Sequence, residues 1–154
     1  MLNKKLIIVA AVAIIVILTV ISIVNYYVDR STKNTLMKKT ENFIEVWGNY
    51  NYQSFSSYPE KTKEYLSEQA YQDYFGNTNA ILIRSGRLNT QQFSLTTKAE
   101  KSRFVKKNGS VYVFNIMVVE ESTAYNEPER LTRQVDVYWE KEQDDWKVIK
   151  VEYK

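Results

Sequence analysis

The pattern of apolar and polar positions changes character twice along this 154-residue chain. From Leu6 to Val24 there is no alternation: every residue is apolar except Thr19 and Ser22. At ~1.5 Å per residue, a helix over this run reaches about 28 Å, close to the ~30 Å hydrocarbon core of a bilayer. Lys4 and Lys5 stand before it. Asn25, Tyr26 and Tyr27 follow, and the two rings suit the headgroup region. The pattern predicts a membrane anchor over 6–28, marked by Leu6, Ile14, Leu18, Val24, Tyr26 and Tyr27. A cleaved export signal has a shorter apolar core and small residues at its exit. Here the exit runs through Ile23, Val24, Tyr26 and Tyr27. A short basic tail feeding straight into the apolar core places residues 1–5 in the cytoplasm and 29–154 outside. Arg30, Lys33, Lys38 and Lys39 just beyond the span count the other way.

After the anchor the period becomes helical. Leu36, Thr40, Phe43, Trp47 and Tyr50 recur at spacings of four and three, which predicts one buried stripe on a helix over Thr35–Tyr52. With no Pro or Gly in 33–39, that helix continues the membrane helix with little break. Ser57-Tyr58-Pro59-Glu60 predicts a turn into a second helix with Pro59 at its start. Ser67 is placed to cap a third, which Gly76-Asn77 ends. Asn79–Leu88 reads equally as a short strand or a turn of helix.

From Gln92 the period shortens to two. Phe93, Leu95, Thr97 and Ala99 alternate, and the phase then slips before Phe104 and Val105, which predicts a bulge. Asn108-Gly109 predicts a two-residue type I′ hairpin with positive φ at both residues. Val111–Val119 is apolar at nearly every position, as in a central strand covered on both faces. Leu131, Val135, Val137 and Trp139 alternate with polar residues. Gln143-Asp144-Asp145 then turns the chain into a last strand, Trp146–Tyr153. The expected fold class is α+β: about three helices packed on a curved four-stranded antiparallel sheet. Phe43, Trp47, Trp139 and Trp146 are the expected core anchors, with Trp47 and Trp146 joining the first helix to the last strand.

Composition narrows the function. With Lys4 and Lys5 set aside, 19 basic residues nearly balance 18 acidic ones, without the basic excess of a nucleic-acid module. The charges are nevertheless segregated. Arg84–Lys107 is basic apart from Glu100, whereas Glu120–Asp145 is mostly acidic. Lys98, Lys101, Arg103, Lys106 and Lys107, with Glu120, Glu121, Glu127 and Glu129, form a candidate interaction surface. It would match charge between copies or with another protein.

There is no His and no Cys, which removes the commonest general base, thiolate nucleophiles, nearly all structural zinc sites and a lipoprotein anchor. The four glycines form no phosphate loop, and the acidic stretch 140–145 lacks calcium-loop spacing. Asp136, flanked by Val135, Val137 and Tyr138, would be a base only if it pointed into an apolar cavity. Strand alternation puts it on the polar face instead. Neither a catalytic residue nor a cofactor or metal is expected.

Helices followed by a bulged antiparallel meander with a Trp-led last strand resemble the nuclear-transport-factor-2-like fold. The resemblance rests on the 35–75 helices, the Asn108-Gly109 hairpin and Trp146-Lys147-Val148-Ile149-Lys150-Val151. With one membrane helix in front, the chain resembles the VirB8-like assembly subunits of type IV secretion and conjugative transfer. That resemblance implies a non-enzymatic, self-associating extracytoplasmic domain that ties envelope proteins together. The alternatives are an anchored module binding an apolar or peptide ligand in the mouth of a cone, and an accessory regulator of the envelope.

Overall fold

The structure, a computed structural model, describes residues 4–51, 54, 57–76, 94–124 and 127–154. Asn79–Leu88 lies outside them. Two compact units, 1–35 and 36–154, are distinguished. Helix α1 (Lys4–Gly48) begins in the first and ends in the second. Its N-terminal part is long and apolar enough to cross a membrane. The side chains of Ile14, Leu18, Val24, Tyr26 and Tyr27 are all exposed there, as are their apolar neighbours. The two hydroxyls in this stretch are satisfied internally: Thr19 donates to the Ile15 carbonyl at 2.8 Å and Ser22 to the Leu18 carbonyl at 2.9 Å. Leu6 lies in the same helix.

In the second unit, α1 is followed by β1 (Tyr50–Asn51), α2 (Tyr58–Lys63) and α3 (Glu68–Tyr71), which widens into a π-type turn over Gln72–Gly76. Ser67 caps α3 by accepting from the Ala70 N–H at 3.0 Å. Pro59 sits in the first turn of α2, where its missing N–H costs nothing. Then come β2 (Ser94–Asn108), β3 (Val111–Ala124), β4 (Glu127–Glu142) and β5 (Asp145–Tyr153). The sheet is antiparallel in the order β1-β2-β3-β4-β5.

The sheet has five strands rather than the expected four, because the first helix stops early. At Gly48 the helix meets β2 so closely that a Cβ would lie 2.0 Å from the Thr97 hydroxyl. Thr97 donates that hydroxyl to the Gly48 carbonyl. Asn49 then accepts from the Thr97 N–H at 2.8 Å and donates to the Thr97 carbonyl. Held in this way, Tyr50 and Asn51 turn extended and pair with Leu95 and Ser94. Tyr50 therefore belongs to a strand and not to the helical stripe.

The expected slip in β2 is present as register shifts between Ala99 and Lys101 and between Phe104 and Lys106. The β2–β3 hairpin is tight, but its turn sits one residue later than expected. Asn108 pairs with Val111, so Gly109 and Ser110 form the loop. Gly109 has φ +58, whereas Asn108 and Ser110 do not take positive φ. A glycine at the first central position is the type II′ signature, not type I′. At the β4–β5 hairpin, Gln143 takes φ 54.

The core lies between the helices and one face of the sheet. Leu36, Phe43, Ile44 and Trp47 from α1 pack with Tyr58, Leu66 and Phe75 against Tyr112, Phe114, Ile116, Val118, Val135, Val137, Trp139 and Val148. The α1 stripe is thus buried from Leu36 to Trp47. Phe43 meets Trp139 edge-on at 6.1 Å, and Trp47 meets Tyr74 edge-on at 5.0 Å. Trp146 is only half-buried and stands edge-on to Tyr112 at 5.2 Å. The polar contact from Trp47 to β5 goes instead to Tyr153, whose hydroxyl accepts the indole N–H at 3.1 Å.

Candidate interaction surface

The sheet face turned away from the helices carries most of the charge, and strand alternation determines which residues reach it. Core residues Phe114, Ile116 and Val118 point to the helices, so Val113, Asn115, Met117 and Val119 point outward. Across the β2–β3 register, Lys106 lies beside Val113, Arg103 beside Asn115, Lys101 beside Met117 and Lys98 beside Val119. The two bulges preserve this alignment despite the uneven spacing of the basic residues. Lys98, Lys101, Arg103 and Lys106 are all exposed, and none makes an ion pair among the described residues. Lys107 departs from the row: its ammonium lies 4.5 Å from the Tyr112 ring centroid, on the helix side.

The acidic residues are arranged differently. Glu120 is largely covered and pairs with Arg133 at 3.2 Å. Glu121 pairs with Arg130 at 3.7 Å, both exposed. Glu129 is exposed, and Glu127 opposes Ala124 at the start of β4. Part of the acidic block is therefore neutralised within the same hairpin, while the basic row is not. The two meet in a surface depression of about 480 Å³ lined by Thr96, Lys98, Ala99, Glu100, Val119, Glu121 and Arg130.

Next to the basic row is a polar cluster on the outer face. Asp136 is 5% exposed; it accepts from the Asn115 amide at 2.6 Å and pairs with Lys154 at 2.5 Å. Both partners commit its carboxylate to the protein itself. On β5, Glu152 accepts from the Tyr138 hydroxyl at 2.5 Å and pairs with Lys150 at 2.5 Å. The Glu152 carboxylate holds the Tyr138 proton, and with burial pushes its pKa up to about 12. The Lys150 ammonium, then the Tyr138 hydroxyl, lower the Glu152 carboxyl. Sequence reasoning missed Asn115 and Lys154 as partners of Asp136. A lone amide inside the apolar run 111–119 was the available signal.

No protein-family model matches the chain, and no curated protein matches it in sequence. Solved structures do match in fold. An IcmL-like type IV secretion system protein from Legionella pneumophila superposes with a TM-score of 0.66 at 8% identity, over 79% of this chain and 91% of its own. CagV, a VirB8 homologue from Helicobacter pylori, gives 0.59 at 12% identity, over 77% of this chain and 95% of its own. The chain has the VirB8-like fold. The VirB8 protein of Agrobacterium tumefaciens itself superposes with a TM-score of 0.52 at 12% identity, over 73% of this chain and 84% of its own. The VirB8-like fold here keeps the expected order of helices followed by antiparallel meander, with the short β1 added at its edge.

Proposed function

We propose that this chain is a non-catalytic, single-pass assembly component of a type IV secretion or conjugative-transfer complex, with residues 1–5 cytoplasmic, 6–28 in the membrane and 29–154 outside. The VirB8-like fold following a helix apolar enough to span a bilayer carries the reading. Two of the structural neighbours, DotI and TraM, are periplasmic domains or fragments, which supports an extracytoplasmic placement here. The aromatic packing of Trp47, Tyr58, Tyr74 and Phe75 fills the space between helices and sheet, which favours a scaffold over a ligand-binding cone. The basic row Lys98–Lys106, which makes no ion pair among the described residues, is the surface offered to acidic partner proteins, by charge complementarity. Nucleic-acid contact is not part of the role.

The test is complementation of a strain lacking the gene, scored by DNA or protein transfer. The full chain and Asp136→Asn should both restore transfer, and a chain lacking residues 1–27 should not. Protease added to protoplasts should digest the domain. Wild-type transfer without the gene, or a dead Asp136→Asn, would overturn the scaffold reading.

A further inference from the structure

The basic residues of β2 follow one another at uneven spacings of three, two and three: Lys98, Lys101, Arg103 and Lys106. In a regular strand, residues three apart fall on opposite faces. The register shifts between Ala99 and Lys101 and between Phe104 and Lys106 each absorb one residue. The four cations therefore stand beside Val119, Met117, Asn115 and Val113, which are alternate residues of β3. Alternate residues of a strand are about 6.7 Å apart, so the row is evenly spaced over about 20 Å. None of its four β3 neighbours is acidic. On β4, the carboxylate level with the row is Asp136, opposite Asn115, and it is held by Asn115 and Lys154. Val113 and Val119 are buried, whereas Met117 is 38% exposed between Lys101 and Gln134.

We propose that this row receives an extended acidic segment of a partner protein, laid along β2 on the outer face with a carboxylate at every second residue. The inference deepens the scaffold reading, which supplies an acidic partner, and rests on it. Spacing decides the conformation of that segment. An extended chain repeats its same-side side chains at the same step of about 6.7 Å, so acids at alternate positions meet all four cations together. On a helix, acids four residues apart advance by about 6 Å but turn by about 40° at each step, so the fourth points about 120° away from the first. A block of consecutive acids in an extended chain directs half of its charge away from the sheet. An exposed ion pair is weak alone and screened by salt, so recognition depends on making several at once. Met117 adds an apolar contact at the middle of the row.

The test is binding of synthetic peptides to the purified full chain in detergent. Three peptides of equal length, each with four glutamates, are compared: alternating with threonine, consecutive, and at every fourth position of an alanine-rich helix former. The alternating peptide should bind several-fold more tightly than the other two, with an advantage that shrinks as salt rises. Lys101→Gln and Arg103→Gln, on exposed side chains, should each weaken it by about two- to fivefold. Lys141→Gln should not, because Lys141 is exposed on the helix side of the sheet, two residues from Trp139. Lys101→Gln with Gln134→Lys restores the net charge but sets the cation two strands away, about 10 Å off the row. That double variant should bind as weakly as Lys101→Gln alone. Equal affinity for the three peptides, recovery by Gln134→Lys, or a loss at Lys141→Gln equal to that at Lys101→Gln would each overturn the inference. Peptide binding is read without any transfer assay. No spacing preference in a chain that still supports transfer would sink this inference alone, whereas a clear preference in a chain dispensable for transfer would sink only the scaffold reading.

Discussion

Trp139 donates its indole N–H to the Thr40 hydroxyl at 2.8 Å, joining the centre of β4 to α1 across 99 residues. Both side chains are fully buried. Thr40 in turn donates to the Leu36 carbonyl at 2.7 Å, so its one proton and one of its lone pairs are both used. A stripe that reads as apolar thus contains a hydroxyl that satisfies the single polar atom of the largest core side chain. Thr40→Val keeps the shape and leaves that N–H buried without an acceptor. It should cost about 1–3 kcal/mol, read as a lower unfolding temperature of the full chain. An unchanged temperature would show that the N–H finds another acceptor.

Gly48 allows the close approach of α1 to β2. Gly48→Ala would normally favour a helix by about 1 kcal/mol. Here the added methyl meets the Thr97 side chain at 2.0 Å, and Thr97 is buried. The expected result is net destabilisation of about 1–3 kcal/mol by overpacking. A double-mutant cycle with Thr97→Ser should show coupling between the two sites. A stabilised Gly48→Ala would place the helix end elsewhere.

At the β2–β3 turn, the two residues of the Asn-Gly pair should behave differently. Gly109 has positive φ with open space around it, so any penalty there is backbone strain alone. Gly109→Val should cost about 1–3 kcal/mol. Asn108→Ala should be close to neutral, because Asn108 has ordinary strand geometry and is exposed. A large loss at Asn108 would restore the type I′ assignment.

Asp145 provides an acid-sensitive clip. It accepts from Lys39 on α1 at 2.8 Å and pairs with Lys147 at 3.3 Å. The Lys39 hydrogen bond, helped by the Trp146 N–H and Lys147 and opposed by burial, lowers its pKa to about 2. A depressed folded-state pKa contributes stability that is fully present above the unfolded value near 4. That contribution is lost as pH falls from there through about 2. Asp145 is half-exposed, so solvent screening holds the effect to a fraction of a kcal/mol. Lys39→Met should flatten the stability profile in that acidic window and leave the slope near neutrality unchanged.

For function, Lys101→Glu with Arg103→Glu should weaken partner binding and transfer by several-fold, chiefly through slower association, with an effect that shrinks at high salt. Both side chains are exposed, so the fold should hold. Unchanged transfer would remove the basic row from the interaction surface.

The features that the sequence alone determined are those written in local periodicity. The Leu6–Val24 run, the Leu36–Trp47 stripe, the Ser67 cap and the alternation of β4 each depend on neighbours a few residues away, and the fold preserves them. Tertiary structure decided whatever depends on partners far along the chain. The two residues of β1 have no period to read, and they become a strand only because Asn49 and Gly48 are held by Thr97. The hairpin turn moved from Asn108-Gly109 to Gly109-Ser110, where the β2–β3 register with its two bulges places it. Pairing across strands also made Asp136 an ion-paired structural carboxylate and left Lys98, Lys101, Arg103 and Lys106 as one row without an ion pair among the described residues. Side-chain direction alternates with every residue, so a single inserted residue changes which face a charge occupies, and only the assembled sheet fixes that count.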